Sequence, residues 1–352
     1  MTRPRKRRRP LALIRPMALT VAFLGLSGCG GFHLIYTPVG QGLSGYARDH
    51  ATPYVLAMDD VGMACEHGLG VEPLLYSFSR VTHNPDLTGT LLQVLGGICG
   101  ERDAVEEELR YLRASYHNNI SEMQDARSSL QRRYAINAKR RLLAYERSMA
   151  AFDFDPTQPE LDECPPYRNN QDELTFMLGL LSGLQAVMDD ARSGGRAGVS
   201  RGLAMQVERA ATCLGNKKWG GMPGNLRALV WTLLPDSRPD GIDDPWQFMA
   251  ENRQLAMDKG VRTAMVLELV MAENLNRTDT MAEVLSVLAE SEGNFTVSPD
   301  YRLVDSTGME VARFVSDRLW TRRYGHATPS NRFGRISKDR EPGKEIDTEG
   351  LL

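Results

Sequence analysis

The chain has 352 residues, 42% hydrophobic and 25% charged, with 42 Lys and Arg against 45 Asp and Glu and a formal net charge of −3. That apolar share is ordinary for a globular protein and excludes a chain too polar to bury a core. The charge balance excludes a strongly basic surface, so no nucleic-acid partner is expected.

Residues 1–28 hold seven cations (Arg3, Arg5, Lys6, Arg7, Arg8, Arg9 and Arg15) and no acid. A short apolar run follows at 17–26, ending in Leu26-Ser27-Gly28-Cys29. A basic segment, a short apolar core and small residues before a cut site form a secretory signal, and the run is about half the ~20 residues of a membrane-spanning helix. Its end resembles the lipobox of bacterial lipoproteins, which implies cleavage before Cys29, lipidation of its thiol and a membrane anchor facing the periplasm. Gly30 follows where an Asp would favour retention at the inner membrane, so the outer membrane is the expected address. Loss of the seven cations leaves 35 basic against 45 acidic residues from Cys29 onward, a formal charge of −10.

Residues 29–55, rich in Gly with two prolines, read as a tether. From 56 to 324 the pattern is helical. Helices are expected at 55–66, 73–82 and 88–100, then at 102–151 with a break at Asn118-Asn119. Residues 153–170 contain Pro156, Pro159, Pro165 and Pro166 and mark a linker-like sub-boundary. The next helix, 172–192, is the most apolar, and a stripe that wide is buried on more than one side. Its Gly179 and Gly183, four residues apart, permit a close approach by a neighbouring helix or a ligand. Further helices are expected at 201–214, 224–234, 245–273, 277–291 and 306–324. Residues 294–305 carry β-type residues with no partner strand. Residues 325–352 read as a disordered tail. The fold class is all-α, an array of helical hairpins with tetratricopeptide-like stacking, although no clean 34-residue consensus recurs.

Besides Cys29 there are Cys65, Cys99, Cys164 and Cys213, with no CxxC. In an oxidising compartment these read as two disulfides. Three connectivities exist; Cys65–Cys99 with Cys164–Cys213 is preferred because each pair joins neighbouring helical segments, and four buried thiols are the alternative. The search for catalysis is negative: there is no HExxH and no GxxxxGK[ST], and no pair of the six histidines has metal-ligand spacing along a helix. The acidic pairs Asp59-Asp60, Asp189-Asp190 and Asp243-Asp244 read as helix ends, the last an N-cap before Pro245. No enzyme activity, cofactor or metal is expected. Met177, Gly179, Gly183, Leu184, Trp219, Trp231 and Trp246 are candidate lining of an apolar cavity between the 172–192 helix and the 219–250 region, with a filled core as the alternative.

Several segments resemble the T component associated with TRAP transporters. They are Ala64-Cys65-Glu66, the stretch from Gly97-Ile98-Cys99 to Leu109-Arg110, residues 178–187 followed by 190–195, Ser298-Pro299-Asp300-Tyr301-Arg302-Leu303, and Ser316-Asp317-Arg318-Leu319-Trp320. The resemblance covers roughly 56–329. It implies a lipid-anchored periplasmic scaffold of tetratricopeptide-type hairpins. It further implies a trimer with a channel through each subunit and association with a periplasmic solute-binding protein, to which a small apolar or carboxylate ligand would pass. No binding residue carries over from it. A general envelope scaffold that holds other proteins together is the alternative.

Overall fold

The computed structural model describes residues 31–158 and 163–335; the signal segment with Cys29, and residues 336–352 of the expected tail, lie outside it. Among the described residues the regular elements are all helical.

Residues expected to be a tether are helical instead. Helix α1 (Gly31–Tyr46) runs through a five-residue π turn into α2 (Thr52–Leu56). The covered side of α1 explains the order: Thr37 donates to the Val81 carbonyl at 2.9 Å, and Gly40 sits on Phe78 and Thr82. The chain restarts at Asp60, whose carboxylate accepts from the Met63 N–H at 2.8 Å and caps α3 (Val61–Ser77). One helix thus runs across the gap between those expected at 55–66 and 73–82. Gly68 is retained for contact: a Cβ there would lie 2.6 Å from Leu95 Cβ and 2.7 Å from the Leu92 carbonyl.

Helix α4 (Asp86–Tyr116) likewise continues past the break expected at 100–102. Its Gly100 gives up side-chain volume to Asn137 of α5 (Ile120–Ala151), which fills the position a Cβ would take. The turn between them falls at the expected asparagines. Asn118 adopts φ 56°, and Asn119 caps α5 by accepting from the Glu122 N–H at 3.2 Å. The linker-like segment is pinned at both described sides. Tyr167 joins Phe152 and Phe154 around Phe176, and Cys164 is bonded to Cys213.

Helix α6 (Asn170–Ser193) is capped by Asn169 and ended by Gly194 at φ 80°. Then follow α7 (Leu203–Ala211), α8 (Met222–Leu233), α9 (Pro245–Lys259), α10 (Thr263–Asn274), α11 (Thr278–Ser291) and α12 (Arg302–Tyr324). The single helix expected at 245–273 is two, because Gly260 turns the chain at φ 76°. The segment with β-type residues forms no strand; it docks by one hydrogen bond, Ser298 N–H to the Gly260 carbonyl at 2.9 Å, and enters α12 through a 3-10 turn. The first eleven residues of the expected tail are placed, with Thr328 N–H on the Asp317 carboxylate at 2.9 Å.

Successive helices pack on one another from α3 to α6 and from α6 to α11, and α12 returns to lie against both α4 and α10. One continuous buried cluster runs through all of these. Both bridges of the preferred pairing are present, Cys65–Cys99 between α3 and α4 and Cys164–Cys213 between the linker and the end of α7.

Candidate functional site

Because α12 closes back on α4, helices α4, α6, α10 and α12 surround an apolar cavity of about 130 Å³. Each contributes one face. On α6 the face is Leu178, Leu181, Gln185, Met188 and Arg192, steps of three and four that bring side chains to one side of a helix. Leu91, Leu95 and Ile98 of α4 face it, with Val266 and Val270 of α10 and Val304 and Val311 of α12. Gly308 lets α12 close on α10; a Cβ there would stand 3.2 Å from Thr263 Oγ1. The Thr307 hydroxyl on this wall is buried and has no hydrogen-bond partner.

One end of the cavity is charged. Arg141 of α5 donates to Asp189 at 2.7 Å and to Glu101 at 2.5 Å, and Asn137 Nδ2 donates to the same Asp189 oxygen at 3.0 Å. Behind them Arg318 of α12 grips Glu273 of α10 through two hydrogen bonds, of 2.8 and 2.5 Å. Arg192 differs from these. It is exposed, donates to Asn274 Oδ1 at 3.1 Å and lies 5.4 Å from the Tyr134 ring, and among the described residues no carboxylate stands within ion-pair distance of it. A guanidinium presents a planar fork that matches a carboxylate. Set at the end of an apolar space, it suits an amphiphile with one acidic end.

Burial alone would raise the Glu273 carboxyl, but Arg318, with Arg322 and Arg192 further off, outweighs it and holds the group below its ordinary value. A carboxyl depressed in the folded state stabilises above its unfolded pKa, about 4.3 for Glu, and that contribution is lost as pH falls through the folded value. Glu273→Gln is therefore expected to melt below the wild type at pH 7, with the gap narrowing below about pH 4. Thermal melts of both proteins across pH 2.5–7, roughly that window, check it; a gap constant with pH would contradict the linkage.

Of the residues singled out from sequence, Leu184 lines the cavity. Met177 is buried in the core away from it. Gly179 and Gly183 face α5: Ser148 fills the place of a Cβ at Gly179, and Tyr145 Cδ2 would be 2.7 Å from one at Gly183. The tryptophans are drawn elsewhere by their ring N–H groups. Trp219 donates to Glu173 at 2.6 Å and Trp231 to Glu208 at 3.0 Å, while Trp246 stacks under the Arg277 guanidinium at 4.3 Å. Of the expected cavity wall the α6 side is found, and from 219–250 Leu229 alone; the other facing walls are α4, α10 and α12. Glu101, Arg141, Asp189 and Arg192 were not anticipated. Arg192 was legible, since it continues the apolar stripe of its helix one turn beyond Met188. Asp190, read as a helix end, caps the following loop by accepting from the Ala197 and Val199 N–H groups, whereas its neighbour Asp189 turns inward. Cys65, Glu66 and Cys99 bring ligand-type atoms within 4.8 Å of one another, but the two sulfurs are bonded together.

No protein-family model matches the chain, and neither a curated protein nor a solved structure matches it.

Proposed function

We propose that this chain is a non-enzymatic, lipid-anchored protein of the cell envelope whose central cavity takes up a small amphiphile bearing a carboxylate. The observation that carries the reading is an apolar cavity ended by Arg192, the guanidinium there with no carboxylate beside it. A volume of about 130 Å³ is close to the ~150 Å³ apolar cavity known to hold a benzene-sized guest, room for the carboxylate end and first few carbons of a longer chain. In this reading the helical hairpins stack in tetratricopeptide fashion, and the protein serves, as the resemblance to the T component implies, as an accessory that passes its ligand to a periplasmic solute-binding protein. The trimer and the outer-membrane address belong to the same proposal.

Fluorescence titration with cis-parinaric acid and with the corresponding alcohol tests the site. The wild type is expected to prefer the acid. Arg192→Met should weaken acid binding at least tenfold, about the 1.5–3 kcal/mol of a charge-assisted hydrogen bond, and leave the alcohol unchanged. Leu181→Trp, at a half-buried position facing the cavity, should abolish both. Equal binding of the acid by the wild type and Arg192→Met would overturn the carboxylate assignment.

The anchor has its own test. Cys29→Ala is expected to abolish incorporation of labelled fatty acid into the protein. Unchanged labelling in that variant would remove the lipobox from the proposal.

A further inference from the structure

Helix α1 contains no Asp, Glu, Lys or Arg in its sixteen residues. Its exposed large side chains are Ile35, Tyr36, Val39, Leu43 and Tyr46, with Ile35 and Tyr46 each 62% exposed. At 100° per residue these five fall within a ~100° arc. Gly40, just beyond the Tyr36 edge of this arc, and Ala47 of the following turn are buried against the protein. An uncharged helix showing an apolar stripe and two tyrosines has the composition of a membrane–water interface. Its position agrees. Gly31 is two residues from Cys29 and five from the end of the apolar run at 17–26, and two residues span at most ~7 Å.

Beneath this helix lies a second apolar chamber of about 180 Å³. Leu43 and Tyr46 of the stripe form its outer wall, and Leu74 and Leu75 of α3 another side. Its inner wall is Leu91 and Leu95 of α4, the same two side chains that bound the central cavity. Its one ionisable imidazole, His67, has its pKa lowered by burial, so the chamber holds no charge at neutral pH. Leu91 is ten residues from Glu101, about 15 Å along the helix axis, so the two spaces meet at the end of the cavity away from Arg192.

We propose that α1 lies in the headgroup layer of the bilayer, and that the chamber beneath it is the opening through which a single-chain acidic lipid passes between the membrane and the central cavity, past Leu91 and Leu95. The bound lipid sets its carboxylate on Arg192 and leaves the far end of its chain in the outer chamber. It crosses the constriction as the neutral acid, because a bare carboxylate in an apolar passage is strongly disfavoured, and it releases its proton to water at the exposed Arg192 end. This rests on the ligand reading above and adds the source of the ligand and its route.

The test uses the full lipid-anchored chain on phosphatidylethanolamine–phosphatidylglycerol vesicles loaded with cis-parinaric acid, and the same acid presented to the detergent-solubilised protein. Ile35→Glu and Val39→Glu each place a charge on the stripe at an exposed position that does not line the chamber. Uptake from vesicles is expected to slow at least tenfold in both variants, while affinity for the acid in solution stays within twofold of wild type. Unchanged uptake from vesicles overturns the route and leaves the cavity reading intact, as do equal losses from both sources. A wild type that binds the acid from neither source overturns both readings.

Discussion

Arg141→Ala is expected to lower the unfolding free energy by about 3–5 kcal/mol, the usual cost of leaving a buried charge without its partner. Asp189 is only 1% exposed and Arg141 6%, and the same guanidinium also holds Glu101. Its removal strands two carboxylates in the wall between α4, α5 and α6. The stranded charge, not the lost volume, causes most of this loss, and a second substitution separates the two. In Arg141→Met/Asp189→Leu the buried pair is replaced by apolar groups of similar size, an exchange that is often neutral or stabilising. Much of the lost stability should therefore return, short of whatever Glu101 still costs. Equilibrium unfolding of the two variants beside the wild type decides: if the double variant is no more stable than Arg141→Ala, packing and not charge governs this wall.

Removing the Cys164–Cys213 bridge should cost about 4 kcal/mol by the chain-entropy relation, less any strain released. The bridge joins residues 49 apart in sequence. In Cys164→Ala/Cys213→Ala the unfolded chain regains that loop freedom, and the segment 163–169 loses its covalent hold on the end of α7. The shift in melting temperature is expected to be roughly 6 °C for a chain of this size. The Cys65–Cys99 bridge closes a shorter loop, with a separation of 34, and its removal should cost slightly less because loop entropy grows only with the logarithm of length. Calorimetry of each double-alanine variant in oxidising buffer measures both; a loss below about 1 kcal/mol would mean that packing alone holds these segments.

These two regions also mark where sequence reasoning works and where it stops. Capping is local: the interactions at Asn119, Asn169, Asp244 and Gly194 involve groups within a few residues of one another, so the neighbouring helix ends were readable from residue type and spacing. The buried stripe of α6 was readable for the same reason. Glycine was the recurrent source of error, because it serves two opposite purposes. Gly68, between two expected helices, and Gly100, where another was expected to end, are internal contact points, where a Cβ would collide with a neighbouring helix. Gly260, inside an apparently continuous pattern, is the one that turns the chain. Which purpose a glycine serves depends on what packs against it, and that partner is distant in sequence.

The all-helical class, the position of most helices after residue 170 and the preferred pairing of the four cysteines were determined by the sequence alone, through periodicity, caps and the neighbour relation of helical segments. The cavity was decided by tertiary structure. It exists because α12 folds back onto α4 and α10, and the α4 contact joins residues some two hundred positions apart; no local pattern encodes that return. The same closure selected its walls. Trp219 and Trp231, the most conspicuous apolar residues of the second half, were taken up by buried carboxylates that needed their ring N–H donors, while the arginine at the end of an apolar helix met an amide and a tyrosine and no carboxylate at ion-pair distance among the described residues. Burial of a polar group is favourable only with a partner in place, so the partners, supplied by the fold, determined which side chains remained to line the site.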